Sequence, residues 1–219
     1  MLASATTIDG NNWMYPIAYA VMEIESEDSW EWFLTSLHKA IGMPNGLVIS
    51  SDMQKGLQNA IEKVYPLAQH RECMRHLFSN FKKHYHGDIF KFGLWGAART
   101  YSLTRFTAFI NEIEAECPAA IQYLRKEHNK LWSRSKFGTI SKCDNLTNNI
   151  AETFNNWIIE ERSKPVVELI DSIRQKIMIN FEQRKRIARS LKGPLVPKVA
   201  DYIKQISRVL SLIFTHFLI

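Results

Sequence analysis

The sequence predicts an α/β chain whose N-terminal third mixes short strands with helices and whose remainder is helical. Three observations carry this. "LASATTI" and "WMYPIAYAVM" flank "DGNN", the pattern of a β-hairpin. "GLVISSD" and "AQHREC" are strand-like runs separated by a helix-like stretch. From His76 onward, apolar residues recur at three-to-four spacing almost throughout.

In the hairpin, Asp9-Gly10 is expected to supply the positive φ of a tight turn. Pro16 cannot donate to a ladder, so it belongs at an edge or bulge. "SEDSWEWFLTSLHKAIG" reads as a helix capped by Ser26 or Ser29 and stopped by Gly42. Trp30, Phe33, Leu34, Leu37 and Ile41 share its inner face. The strand "GLVISSD" follows. The helix "QKGLQNAIEKVY" then turns Leu57, Ile61 and Val64 inward and ends at Pro66, before the strand "AQHREC". Seven helical stretches complete the chain: "RHLFSNFKKHY", "IFKFGLWGAART", "TRFTAFINEIEAE", "AAIQYLRKEHNKLW", "NNIAETFNNWIIEER", "VVELIDSIRQKIMINFEQRKRIARSL" and "KVADYIKQISRVL". Residues 138–147 are the clearest loop.

With 219 residues, 46% of them hydrophobic and 23% charged, the chain can bury a real core. Its three cysteines are far apart, which argues against a disulfide framework and for a reducing compartment. The start has no basic-then-apolar secretory pattern. The apolar end "VLSLIFTHFLI" is 11 residues long, against about 20 for a spanning helix. It reads as a helix end seeking a core or as an aberrant terminus, and no membrane partner is expected. The net charge of +6 is uneven: residues 1–70 carry three lysines and eight acids, whereas residues 71–219 carry 25 basic and 14 acidic residues. Such asymmetry suggests a polyanion-facing part on an acidic scaffold, with solvated helix faces as the plain alternative.

Two acids stand out. Asp52 ends the strand "LVIS", where an open α/β sheet gathers its functional groups. It can cap the next helix or bind a hard divalent cation. Glu152 shares a helix face with Asn148 and Asn155, while Ile150, Phe154 and Trp157 form an apolar face. This amide-rich stripe is a site or merely a solvated surface. Cys73 and His76 form Cys-x-x-His, two ligands where structural zinc needs four, so zinc is not expected. A buried Cys73 and a polar His76 near the acids fit better. The basic positions Lys55, Arg71, Arg75, Lys82, Lys83, Arg162, Lys164, Arg174, Lys176, Arg184, Lys185, Arg186, Arg189 and Lys192 suit salt-sensitive, sequence-independent phosphate contacts. No base-reading motif is visible.

"DGNNWMYPIAYAVMEIESEDSWEWFL", "ISSDMQKGLQNAIEKVYPLAQHRECMRHLFSNF" and "NNIAETFNNWI", followed by "IRQKIM" and "QRKRIA", resemble the plant Mutator-like element (MULE) transposases. They also resemble the transposase-derived nuclear factors of the far-red-response type. The likeness runs from residue 3 to about 205, in the family's order. It implies an RNase H-like α/β fold with a DDE site. Residues 1–80 would be the core with the family's strands two to five, residues 81–146 a helical insertion, and residues 147–219 the C-terminal helices. The second catalytic aspartate corresponds to Asp52, the catalytic glutamate to Glu152, and the family's Cys-x-x-His to Cys73 and His76, with His76 a phosphate contact. Mg²⁺ or Mn²⁺, held by Asp52 and Glu152, would be the cofactor.

The sequence departs from the family pattern: no counterpart is seen of its N-terminal DNA-binding region, its C-terminal Cys/His zinc module or its first catalytic acid. The first aspartate, normally on a central first strand upstream of "LASATTI", has no counterpart, and Asp9 is a turn residue. The expectation is therefore a sheet without its middle strand and a DDE transposase fragment inactive on its own. DNA is the expected partner and the nucleus the location. No small-molecule substrate is expected, and a homo-oligomer is left open. The alternatives are a domesticated nuclear DNA-binding or regulatory protein and a helical scaffold without DNA affinity.

Overall fold

The computed structural model describes residues 1–54 and 56–217, without the side chains of 209 and 211–217. Lys55 and most of the apolar tail's side chains therefore lie outside the described residues. The elements are β1 (Leu2–Ile8), β2 (Met14–Val21), α1 (Glu27–Ile41), β3 (Val48–Ser51), α2 (Leu57–Val64), β4 (Gln69–Glu72), α3 (Met74–Phe81), α4 (Asp88–Arg99), α5 (Leu103–Glu116), α6 (Pro118–Glu127), α7 (Asn149–Trp157), α8 (Val166–Ser190) and α9 (Pro197–Phe217). The protein is thus α/β and mostly helical. No helix among the described residues is long and apolar enough to cross a membrane.

The strands pair two by two, β1 with β2 and β3 with β4. In a two-stranded ladder every strand has an open edge, which gives Pro16 its place in β2. The turn corrects one expectation. The positive φ falls on Asn12, at 64°, and not on Gly10. Asp9 Oδ1 accepts the backbone N–H groups of Asn11 and Trp13 at 2.9 and 3.0 Å, an Asx turn that tolerates a left-handed asparagine.

The chain divides into two compact units, residues 1–3 with 22–149 and residues 4–21 with 150–219. In the first, α1 packs on α2. Ser26 caps α1 by accepting the Ser29 N–H, and Trp30, Phe33, Leu34 and Leu37 are buried, while Ile41 is half-buried. The parallel β3–β4 pair lies in register Val48 to Gln69 through Ser51 to Glu72. A larger core joins α3 to the following helices through Leu77, Phe81, Leu94, Ile113 and Ile121.

Several helices differ from expectation: α3 stops at Phe81, before the expected "KKHY", and α9 runs on to Phe217. α2 begins at Leu57, three residues later than the pattern suggests. Its N-cap Gly56 has a φ of 78°, and a Cβ there would lie 2.5 Å from the Glu27 nitrogen, so only glycine lets this turn approach the start of α1. α6 stops at Glu127, not at Trp132. Beyond it the chain turns into β-type pairing, with Leu131 bridging Arg71 and accepting the Glu72 N–H at 2.9 Å. α7 stops at Trp157, short of Arg162, and a 3-10 turn follows over Glu161–Ser163.

In the second unit, α8 carries the hairpin. Phe181 stacks on Tyr15 with ring centroids 4.8 Å apart, and the Tyr19 hydroxyl donates to the Ile170 carbonyl at 3.2 Å. Phe154, Ile158, Leu169 and Ile173 form the buried centre.

Candidate functional site

Asp52 lies just past β3, as the sequence suggests, at the carboxyl end of a parallel pair. It does not cap α2, because Gly56 is the N-cap and no side chain bonds there. The next residue, Met53, has a φ of 63°, a left-handed conformation that is rare outside glycine and asparagine. The chain therefore turns sharply at the acid. Asp52 is half-buried and makes no hydrogen bond or ion pair among the described residues. A carboxylate without a protein partner suits a hard cation such as Mg²⁺ or Mn²⁺. Among the described residues no three His, Cys, Asp or Glu side chains cluster as a ligand set.

Two neighbours fix the strand end. Ser51 Oγ and His70 Nε2 share a hydrogen bond of 2.8 Å across β3 and β4. Burial, reinforced by the Lys130 ammonium, pulls the His70 pKa down to about 4, so the imidazole is neutral at neutral pH. The Ser51 carbonyl accepts the Cys73 N–H at 2.8 Å. Cys73 itself is fully buried, and its sulfur accepts the Asn148 N–H at 3.4 Å, so the thiol is a packing element. His76 sits half-buried in the first turn of α3, and its Nδ1 is buried without a hydrogen-bond partner among the described residues.

Glu152 lies in the first turn of α7, half-buried, with Phe154 fully buried behind it. Ile150 and Trp157 are half-buried, so the apolar face forms as the periodicity suggests. Asn155 accepts from Arg162 at 3.4 Å. Asp52 belongs to the first unit and Glu152 to the second.

The basic positions divide sharply. Arg71 is 1% exposed, and its whole guanidinium is bound internally. Its Nε donates to Gln69 at 2.8 Å, Nη1 to the Cys143 carbonyl at 2.7 Å and Nη2 to Ser141 at 3.3 Å, above the Phe137 ring at 3.7 Å. The guanidinium is therefore engaged inside the fold rather than at its surface. Arg184 grips the hairpin: Nη2 donates to the Met14 carbonyl at 2.6 Å, and Nη1 lies 3.4 Å from Asp9. Asp9 is therefore a turn residue that also anchors α8. Arg174 pairs with Asp171 at 2.8 Å and Arg186 with Glu182 at 3.0 Å, both in the open. Lys176 pairs with Glu161 at 2.7 Å, and the Lys176 contact holds the Glu161 carboxyl below its usual range. Lys164 donates to Ser172 at 2.9 Å, and Lys83 donates to Asn80 at 2.9 Å. Arg75, Lys82, Lys83, Arg162, Lys185, Arg189 and Lys192 are exposed.

Sequence reasoning missed Glu72 and His128, buried together at 2.6 Å, and the Ser51–His70 pair. The available signal was a carboxylate and an imidazole inside the short buried strand "AQHREC".

No curated protein matches the chain. Residues 1–80 match the family model of the MULE transposase domain, and over that stretch the chain is MULE transposase-like.

Proposed function

We propose that this chain is a DNA-binding, transposase-related protein with Asp52 and Glu152 as the catalytic-type acids of an RNase H-like core. The observation that carries this is the match of residues 1–80 to the MULE transposase domain. The position of Asp52 at the carboxyl end of β3, beside a parallel partner, supports it. The RNase H-like fold, plant origin, nuclear location and the insertion at 81–146 belong to the same reading. Asp52 and Glu152 would hold Mg²⁺ or Mn²⁺, which would supply Lewis-acid chemistry at phosphate. Exposed Lys82, Lys83, Lys185, Arg189 and Lys192 would meet the phosphate backbone.

The test is binding of random-sequence duplex DNA, followed by fluorescence anisotropy between roughly 50 and 200 mM salt. Affinity should fall steeply with salt and differ little among sequences. No binding at low salt would leave the helical-scaffold reading. Strong preference for one sequence would favour a nuclear regulatory protein of the same descent.

A further inference from the structure

The elbow between α4 and α5 carries a shallow groove of about 510 Å³, lined by Gly96, Arg99, Tyr101, Arg105 and Phe109 among others. Its floor is built by close packing. A Cβ on Gly96 would come within 2.6 Å of the Phe109 ring, so glycine lets that ring lie against α4. Arg99 and Arg105 stand exposed at the groove, and neither makes an ion pair with any described residue. Arg99 lies over the Trp95 ring at 4.9 Å. Tyr101 is 67% exposed, although its hydroxyl donates to Asp144 and the Arg134 guanidinium lies 5.3 Å from its ring centroid. Arg134 pairs with Asp144 at 3.4 Å, which braces the tyrosine. The acids of α5, Glu112, Glu114 and Glu116, are confined to its other end.

An exposed ring braced by a guanidinium group, beside cations without counter-ions among the described residues, forms the combination that holds unpaired nucleic acid: phosphates on the cations and a base on the ring. We infer that this groove binds a single-stranded stretch of nucleic acid, with phosphates at Arg99 and Arg105 and a base stacked on Tyr101. Duplex DNA has its bases stacked internally and has no use for the tyrosine, whereas an unpaired strand does. The inference rests on the DNA-binding reading above but concerns another surface and another form of the ligand.

The experiment uses the full chain and a fluorescent oligothymidylate of about 15 nucleotides, with a random duplex in parallel. Arg99→Ala/Arg105→Ala should weaken oligothymidylate binding about tenfold or more, and Tyr101→Leu should weaken it severalfold. The duplex affinity should change far less. A 5-bromodeoxyuridine oligomer irradiated with the unaltered chain should crosslink at Tyr101, a readout that does not depend on how the variants fold. Unchanged affinity in both variants, or crosslinks only elsewhere, overturns the inference. Duplex binding without oligothymidylate binding overturns it and leaves the DNA-binding reading standing. Binding of neither overturns both. Displacement of the oligomer by polyglutamate at equal charge would assign the groove to an acidic protein instead.

Discussion

Glu72 Oε1 and His128 Nδ1 lie 2.6 Å apart, with side chains only 1% and 5% exposed. The pair joins the end of β4 to the residue that closes α6, and the Glu72 N–H donates to Leu131 beside it. Glu72 Oε2 and His128 Nε2 have no hydrogen-bond partner among the described residues. Removing one member leaves the other's buried polar group without its hydrogen-bond partner, which typically costs about 1–3 kcal/mol. Glu72→Ala should therefore lower the unfolding free energy by about 2 kcal/mol, read from urea melts at pH 7. Glu72→Leu/His128→Leu should recover part of that loss, because it leaves no unpaired polar group buried. Equal losses in the single and double variants would show that the pair matters only through its volume.

Arg184 and its neighbours on α8 should separate by assay. Arg184 is held by Asp9 and the Met14 carbonyl, whereas Lys185 and Arg189 are exposed. Arg184→Ala should cost about 1–3 kcal/mol of stability, the range for a lost charged hydrogen bond that leaves its partners unsatisfied. Lys185→Ala/Arg189→Ala should leave the melt within about 0.5 kcal/mol. It should instead weaken duplex DNA binding and reduce the salt slope by about two. A double variant that binds DNA as tightly as the parent would remove α8 from the interface.

His70 gives a pH dependence with a definite sign. Its folded pKa of about 4 lies below the unfolded value of 6.5, because burial and Lys130 disfavour the imidazolium. Above pH 6.5 both states hold it neutral, and its full contribution is present. Between pH 6.5 and 4 the unfolded chain takes up the proton and the folded chain does not, so stability falls. The loss by pH 4 should be about 2 kcal/mol after allowance for solvent screening at this half-buried position. His70→Gln should flatten the urea midpoint over that window relative to the parent. An identical slope in the variant would place the effect on other groups.

The elements with local signals were legible in the sequence. α1 begins at its Ser26 cap, ends at Gly42 and buries the expected face, because capping and periodicity act within a few residues. The end of α6 was not legible. "KEHNKLW" continues the helical pattern, but a hydrogen bond to Glu72, 56 residues earlier, holds His128 where the helix ends. A helix pattern loses to a buried long-range pair when satisfying a carboxylate outweighs another helical turn. Arg71 shows the same limit at the site. By residue type it is a phosphate-facing cation, yet its neighbours turn it into an internal strut. The place of Asp52 after β3 was legible because a short apolar run ending in a lone acid marks a strand end. The hairpin turn was half legible: "DGNN" marked its place, but the positive φ moved to Asn12 once Asp9 bonded the turn backbone.

The 219-residue chain should not cut DNA on its own. Two-metal phosphoryl transfer needs both ions held about 3.5–4 Å apart, with oxygen ligands enough to fix each. The function proposed above names two carboxylates of this chain, Asp52 and Glu152, and chemistry of this kind draws on a further acid. An ion without its anchor loses several kcal/mol of transition-state stabilisation, and thus many orders of magnitude in rate. The assay is purified protein with Mg²⁺ or Mn²⁺ and supercoiled plasmid, beside an Asp52→Ala/Glu152→Ala control. Both should leave the plasmid supercoiled. Asp9 is a poor substitute for the third acid, because its carboxylate already holds the turn and Arg184. Nicking by the parent chain that the double variant lacks would overturn the claim, and it would mean that another acid completes the ligand set when DNA and metal are bound.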